Sequence, residues 1–156
     1  MAITLSASKS STLEPIKKNR WIFQFTSIPG NTGGQADLAF AAHTATVPQV
    51  SYNAIENQRW NERFFTAGKP TWNDLSATFY DYIDAESAGQ ILYNWSQQVY
   101  NPITGQMFFK NQYSTSATLA QLDPAGAIIR LWNIFYIWPQ AVGWGDALAY
   151  DDDGIS

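Results

Sequence analysis

The side chains able to do chemistry in this 156-residue chain are few, and their spacing argues against their doing it. The single histidine, His43, lies in a run of small residues, Ala41-Ala42-His43-Thr44-Ala45. General-base work would need a nucleophile and an orienting acid beside it, so it reads as a hydrogen-bonded or surface residue. A zinc site needs three or four N, S or O ligands, which one histidine and no cysteine do not supply. The same lack of cysteine excludes disulfides. Asp81 and Asp84 have the look of a glycosidase carboxylate pair, but a strand-to-helix junction wants a capping carboxylate at that place. Asp151-Asp152-Asp153 lacks the spaced ligands and terminal Glu of a calcium loop and reads as a solvated acidic tail. Gly143-Trp144-Gly145 is without the strand–glycine–helix setting of a nucleotide fingerprint. Asn94-Trp95-Ser96 matches a glycosylation sequon but falls inside an expected helix. No cofactor, metal or catalytic residue is expected, and the chain does not read as an enzyme.

Composition turns attention from sites to surfaces. Aromatics make up 15% of residues and charged residues 14%, against roughly 25% charged in ordinary soluble domains. Seven Trp, eight Tyr and nine Phe are more wide rings than a single domain of this length is expected to bury. Exposed aromatics and scarce charge mark interfaces or ligand platforms. Net charge is −4 but uneven. Residues 1–70 hold seven cations against four anions, a net +3, and residues 71–156 hold two against nine, a net −7. Three readings stay open: nucleic-acid binding by the basic half, scattered solvated charge, or head-to-tail association of basic and acidic parts. Lys17, Lys18, Arg20 and Trp21 form the one tight basic–aromatic group, which the overall acidity opposes. No secretory leader or 18-residue apolar window is recognisable, so a protein folded in a cytoplasm, with no membrane partner, is expected.

The elements that must position any surface follow from periodicity. Residues 1–19 read as a mobile arm, and 20–156 as a single domain. Trp21, Phe23 and Phe25 alternate with Ile22, Gln24 and Thr26 in a strand. A second strand is expected over Leu38 to Thr46. Residues 46–72 mix aromatics and charges without a core pattern, and predict a projecting hairpin or extended loop. Leu75 to Tyr82 alternates as a strand. A helix is expected over 84–100, capped by Asp84, carrying Ala88, Ile91, Leu92, Trp95 and Val99 on one face and stopped by Pro102. Ser116 to Leu122 is a polar-alternating strand, Asp123-Pro124-Ala125-Gly126 a turn, and Ala127 to Trp138 a long apolar run read as the central strand. The expected class is α+β, mainly β: an antiparallel β-sandwich or barrel of about six or seven strands with one flanking helix.

The ordered set Arg20-Trp21-Ile22-Phe23, Thr46-Val47-Pro48, Ala67-Gly68-Lys69-Pro70-Thr71-Trp72-Asn73-Asp74-Leu75, Asp81, the helix with Trp95, and Trp138-Pro139-Gln140-Ala141-Val142-Gly143 resembles the tail tube proteins of contractile-tailed bacteriophages. These are related to type VI secretion and pyocin tubes. The resemblance implies a barrel-like fold with a flanking helix. It further implies self-assembly into stacked, six-membered rings that form the inner tail tube of a virion. Its implied partners are other copies of itself, a surrounding sheath, baseplate and terminator proteins at the tube ends, and tape measure protein and genomic DNA in the lumen. Under it, Trp60, Arg63, Phe64, Phe65, Lys69 and Trp72 are the candidate inter-subunit contacts. Family members continue past the acidic turn into a final strand, which here would begin at Asp153-Gly154-Ile155-Ser156. The alternative is a carbohydrate-binding β-sandwich module that uses exposed Trp and Tyr.

Overall fold

The computed structural model describes residues 16–83 and 87–145. Most of the expected N-terminal arm, the Asp84 cap, Glu86, the acidic tail and the final strand lie outside them. The class is α+β and mainly β, with antiparallel sheets.

The core starts from β1 (Trp21–Phe25), where the two-residue period turns Phe23 and Phe25 inward and leaves Ile22 and Gln24 outside. β1 pairs antiparallel with β8 (Thr115–Leu122), setting Phe23 opposite Leu119 and Phe25 opposite Ala117. On the other side of β8 lies β9 (Ile128–Ile137), which brings Trp132 and Ile134 to the same inner face. Two helices cover that face. α1 (Gln35–Ala41) contributes Leu38 and Ala41, and α2 (Ala88–Val99) contributes Ala88, Ile91 and Trp95. Trp95 meets Phe25 edge-on at 5.4 Å between centroids and donates its indole N–H to the Tyr113 carbonyl at 2.8 Å. The aromatic contact and the satisfied indole fix how α2 sits on the sheet. At Gly34 a Cβ would stand 2.9 Å from Ile91 Cδ1, so the loop into α1 can approach α2 closely only without a side chain.

The remaining elements are small. β2 (Ala42–Ala45) pairs with β5 (Ala77–Phe79), and β6 (Tyr100–Asn101) pairs with β7 (Gln106–Met107). A short α3 (Lys110–Tyr113) precedes β8. The turn after α2 closes as the sequence implies, with Asn101 Oδ1 accepting from the Ile103 and Thr104 amides. At the β8–β9 turn Asp123 Oδ1 accepts from the Ala127 amide and Gly126 takes a positive φ of 88°.

Several expectations are corrected. Among the described residues there are nine strands and three helices, in four separate sheets and not a closed barrel. The segment expected as a strand from Leu38 is helical to Ala41, because Leu38 and Ala41, three apart, both reach the core from one helix face. The Leu75 to Tyr82 strand contracts to β5. The main helix starts at Ala88, not 84: its N-cap is Ser87, whose hydroxyl accepts from the Gln90 amide. β9 is an edge strand, and β8 is the central one.

Candidate assembly surface

The projecting hairpin is β3 (Val50–Arg59) and β4 (Glu62–Trp72), joined by Trp60-Asn61. At about 3.4 Å per residue the ribbon is roughly 35 Å long. Among the described residues the two strands pair only with each other, and nearly every residue in both is exposed. The register explains why. Phe64 stands opposite Asn57 and Phe65 opposite Glu56, so adjacent rings point to opposite faces. Val50, Tyr52, Phe65, Pro70 and Trp72 share one face, and Ile55 and Phe64 share the other. Among the described residues neither face carries a covering layer. A bulge between Tyr52 and Ala54 inserts an extra residue into β4, where a Cβ on Gly68 would lie 2.8 Å from the Asn53 carbonyl oxygen.

Each candidate contact residue has a definite place. Trp60 sits at the tip, 97% exposed, with φ of 56°. That left-handed backbone is an outlier for an aromatic residue, of order 1–3 kcal/mol, held in place by the paired strands on either side. Arg63 Nε reaches Glu56 Oε1 at 3.3 Å. With both groups well exposed, this pair orders side chains more than it stabilises them. Lys69 is at the bulge beside Gly68, and Trp72 closes the base of the ribbon opposite Val50. Phe65, Arg63 and Trp72 therefore lie along one face, Phe64 is on the reverse, and Trp60 is at the far end from Trp72. The six residues form a two-sided blade and not a single patch.

A second surface was not singled out from the sequence. Among the described residues β9 leaves one backbone border unpaired along its length. Its outward residues Ile129, Leu131 and Phe135 are exposed, and Arg130 is its only charge. Register shifts against β8 occur at both ends, between Gln121 and Leu122 and between Thr115 and Ala117. Tyr136, at the second, has φ of 58° and carries Lys110 Nζ over its ring at 5.9 Å. Open apolar borders of this kind template pairing with another chain. The signal was present: an apolar run without alternation denotes a strand covered on both faces, and the described residues cover only one.

The residues considered for chemistry stand apart. His43 is exposed, its ring 4.3 Å from that of Tyr80 and its Nε2 3.4 Å from the Tyr80 hydroxyl. Asp81 Oδ1 accepts from the Gly89 amide at 3.3 Å and so caps α2. Trp21 is half-buried with one side packed against the core, next to Arg20 and the exposed Lys17 and Lys18. Asn94 donates to Asn31 Oδ1 at 2.9 Å, tying α2 to the 28–34 loop. Among the described residues no three His, Cys, Asp or Glu side chains gather as a metal site, and no helix is long and apolar enough to cross a membrane. Comparison with protein-family models finds no match to this chain, and no curated protein matches it.

Proposed function

We propose that this chain is a structural virion subunit that assembles with copies of itself into stacked rings, forming the inner tube of a contractile tail through which DNA passes. The observation that carries the reading is the β3–β4 ribbon. A two-stranded hairpin is marginally stable alone in water, and this one displays aromatic rings on both faces and at its tip. Each ring fully covered would add about 1.5–3 kcal/mol, multiplied around and between rings. The open β9 border supports the same reading, since head-to-tail contacts that close give rings and those that translate along an axis give tubes. Net charge of −4 per copy suits a conduit to which DNA does not adhere. The tube-protein resemblance supplies the six-fold ring, the sheath, baseplate, terminator and tape measure partners, and the virion setting as part of the proposal.

Negative-stain microscopy of concentrated protein tests it. Rings or rods are expected from the native chain. Trp60→Ala combined with Phe64→Ala should shorten or abolish them while the subunit keeps its native circular dichroism. A native sample that stays monomeric at high concentration, or normal tubes from the double variant, would refute the assignment.

A further inference from the structure

The face of α2 that turns away from the core has its own pattern. Tyr93, Ser96 and Gln97 recur at i, i+3 and i+4, a second stripe beside the buried one of Ala88, Ile91 and Trp95, and the extended Tyr100 follows at the helix end. After β9 the chain from Pro139 to Trp144 runs back along this stripe, and a cleft of about 350 Å³ lies between them. That volume falls at the low end of the roughly 300–1,000 Å³ of small-ligand clefts. Trp144 packs across Tyr93 with centroids 5.8 Å apart and planes tilted by 57°, and both rings keep open surface. Among the described residues no Asp, Glu, Lys, Arg or His lines the cleft. Ser96 Oγ donates to the Tyr93 carbonyl. Among the described residues, the amides of Gln97 and Gln140, the hydroxyls of Tyr93 and Tyr100 and the indole N–H of Trp144 have no side-chain partner at the cleft.

A ligand matched to these described residues is uncharged, offers C–H faces to aromatic rings, and presents groups that both donate and accept hydrogen bonds. Side-chain amides answer that last demand, because each carries two donors and a two-lone-pair acceptor. We propose that this cleft binds a neutral oligosaccharide, with Trp144 and Tyr100 presenting apolar ring surface to the sugar and Gln97 and Gln140 bonding its hydroxyls. A proline-rich peptide, the other common occupant of aromatic grooves, is disfavoured by the chemistry. Its carbonyls only accept, leaving the amide oxygens unanswered, and the tilted Tyr93–Trp144 pair offers one ring contact in place of a row of ridges. The site uses the outer face of α2 and not the ribbon, so it stands whether or not the subunit forms tubes.

Calorimetric titration of the full chain with cellotriose, maltotriose and chitotriose, and separately with decaproline, decides the matter. Saturable binding of at least one trisaccharide is expected. Trp144→Ala should weaken it tenfold or more and Gln97→Ala several-fold, with Trp60→Ala on the ribbon leaving it unchanged. Gln97→Ala replaces a side chain at the helix surface and keeps the test valid should Trp144→Ala disturb the fold. Absence of binding by all three sugars, undiminished affinity in both cleft variants, or binding of decaproline alone would overturn the proposal.

Discussion

Two pairs of phenylalanines, made of the same residue on the same kind of strand, meet opposite fates. Phe23 and Phe25 of β1 are two apart, share a face, and are each 6% exposed beneath α1 and α2. Phe64 and Phe65 of β4 are adjacent, so the pleat sends them to opposite faces, and both are exposed. One layer of helices can bury the first pair but no single layer can bury the second. The contrast teaches that a strand with rings on both faces asks for cover on both, and that the described residues complete one core and leave both faces of the ribbon open.

The sharpest way to break the comparison is to truncate one ring of each pair. Phe25→Ala should cost the isolated subunit about 3–5 kcal/mol in denaturant unfolding, since the cavity sits against Trp95 and Phe79. Phe65→Ala should change that stability by less than about 1 kcal/mol yet diminish assembly seen by microscopy. Equal destabilisation by both would show that the ribbon is already covered within the subunit. A smaller effect is expected at the bulge. Gly68→Val drives a side chain into the Asn53 carbonyl, and should raise amide hydrogen-exchange rates across 50–72 while leaving those of β1 and β8 unchanged. Exchange unaltered in the ribbon would mean the bulge can shift its register freely. The smallest change belongs to Trp60→Gly, which relieves the positive φ. It should leave the unfolding midpoint of the core within about 0.5 kcal/mol of native while weakening tube formation. A large loss of core stability would make the tip part of the fold.

How far the sequence could be read follows the same physics. β1, the hairpin, the turn at Asp123 and the buried face of α2 were legible because period two, turn chemistry and helical spacing are local. α1 was not. Its N-cap, Gly34, makes no side-chain bond, so seven helical residues begin without a start signal among small residues that suit either state. The start of α2 was misplaced because Asp84 and Ser87 are both good caps, although Ser87 with Gln90 three residues on is the better-spaced pair. β9 was misread as central because apolar character reports that a strand will be covered, not whether the same chain does the covering. Within the candidate surface, Trp60, Phe64 and Phe65 are the residues that mixed charge and aromatic content single out, and the structure leaves all three exposed. The border of β9 was missed for the reason just given, and the cleft beside α2 because it joins residues some forty positions apart in the chain.

The register shifts near the two ends of β9 confine its regular pairing with β8 to the stretch from Arg130 to Ile134. A strand that is straight along its whole length accepts newcomers in many alignments and invites endless, disordered growth. With pairing shifts near both ends, this one would offer a docking chain only a short landing strip, with little choice of alignment and a definite place to stop. Such a device favours a bounded object over a fibril.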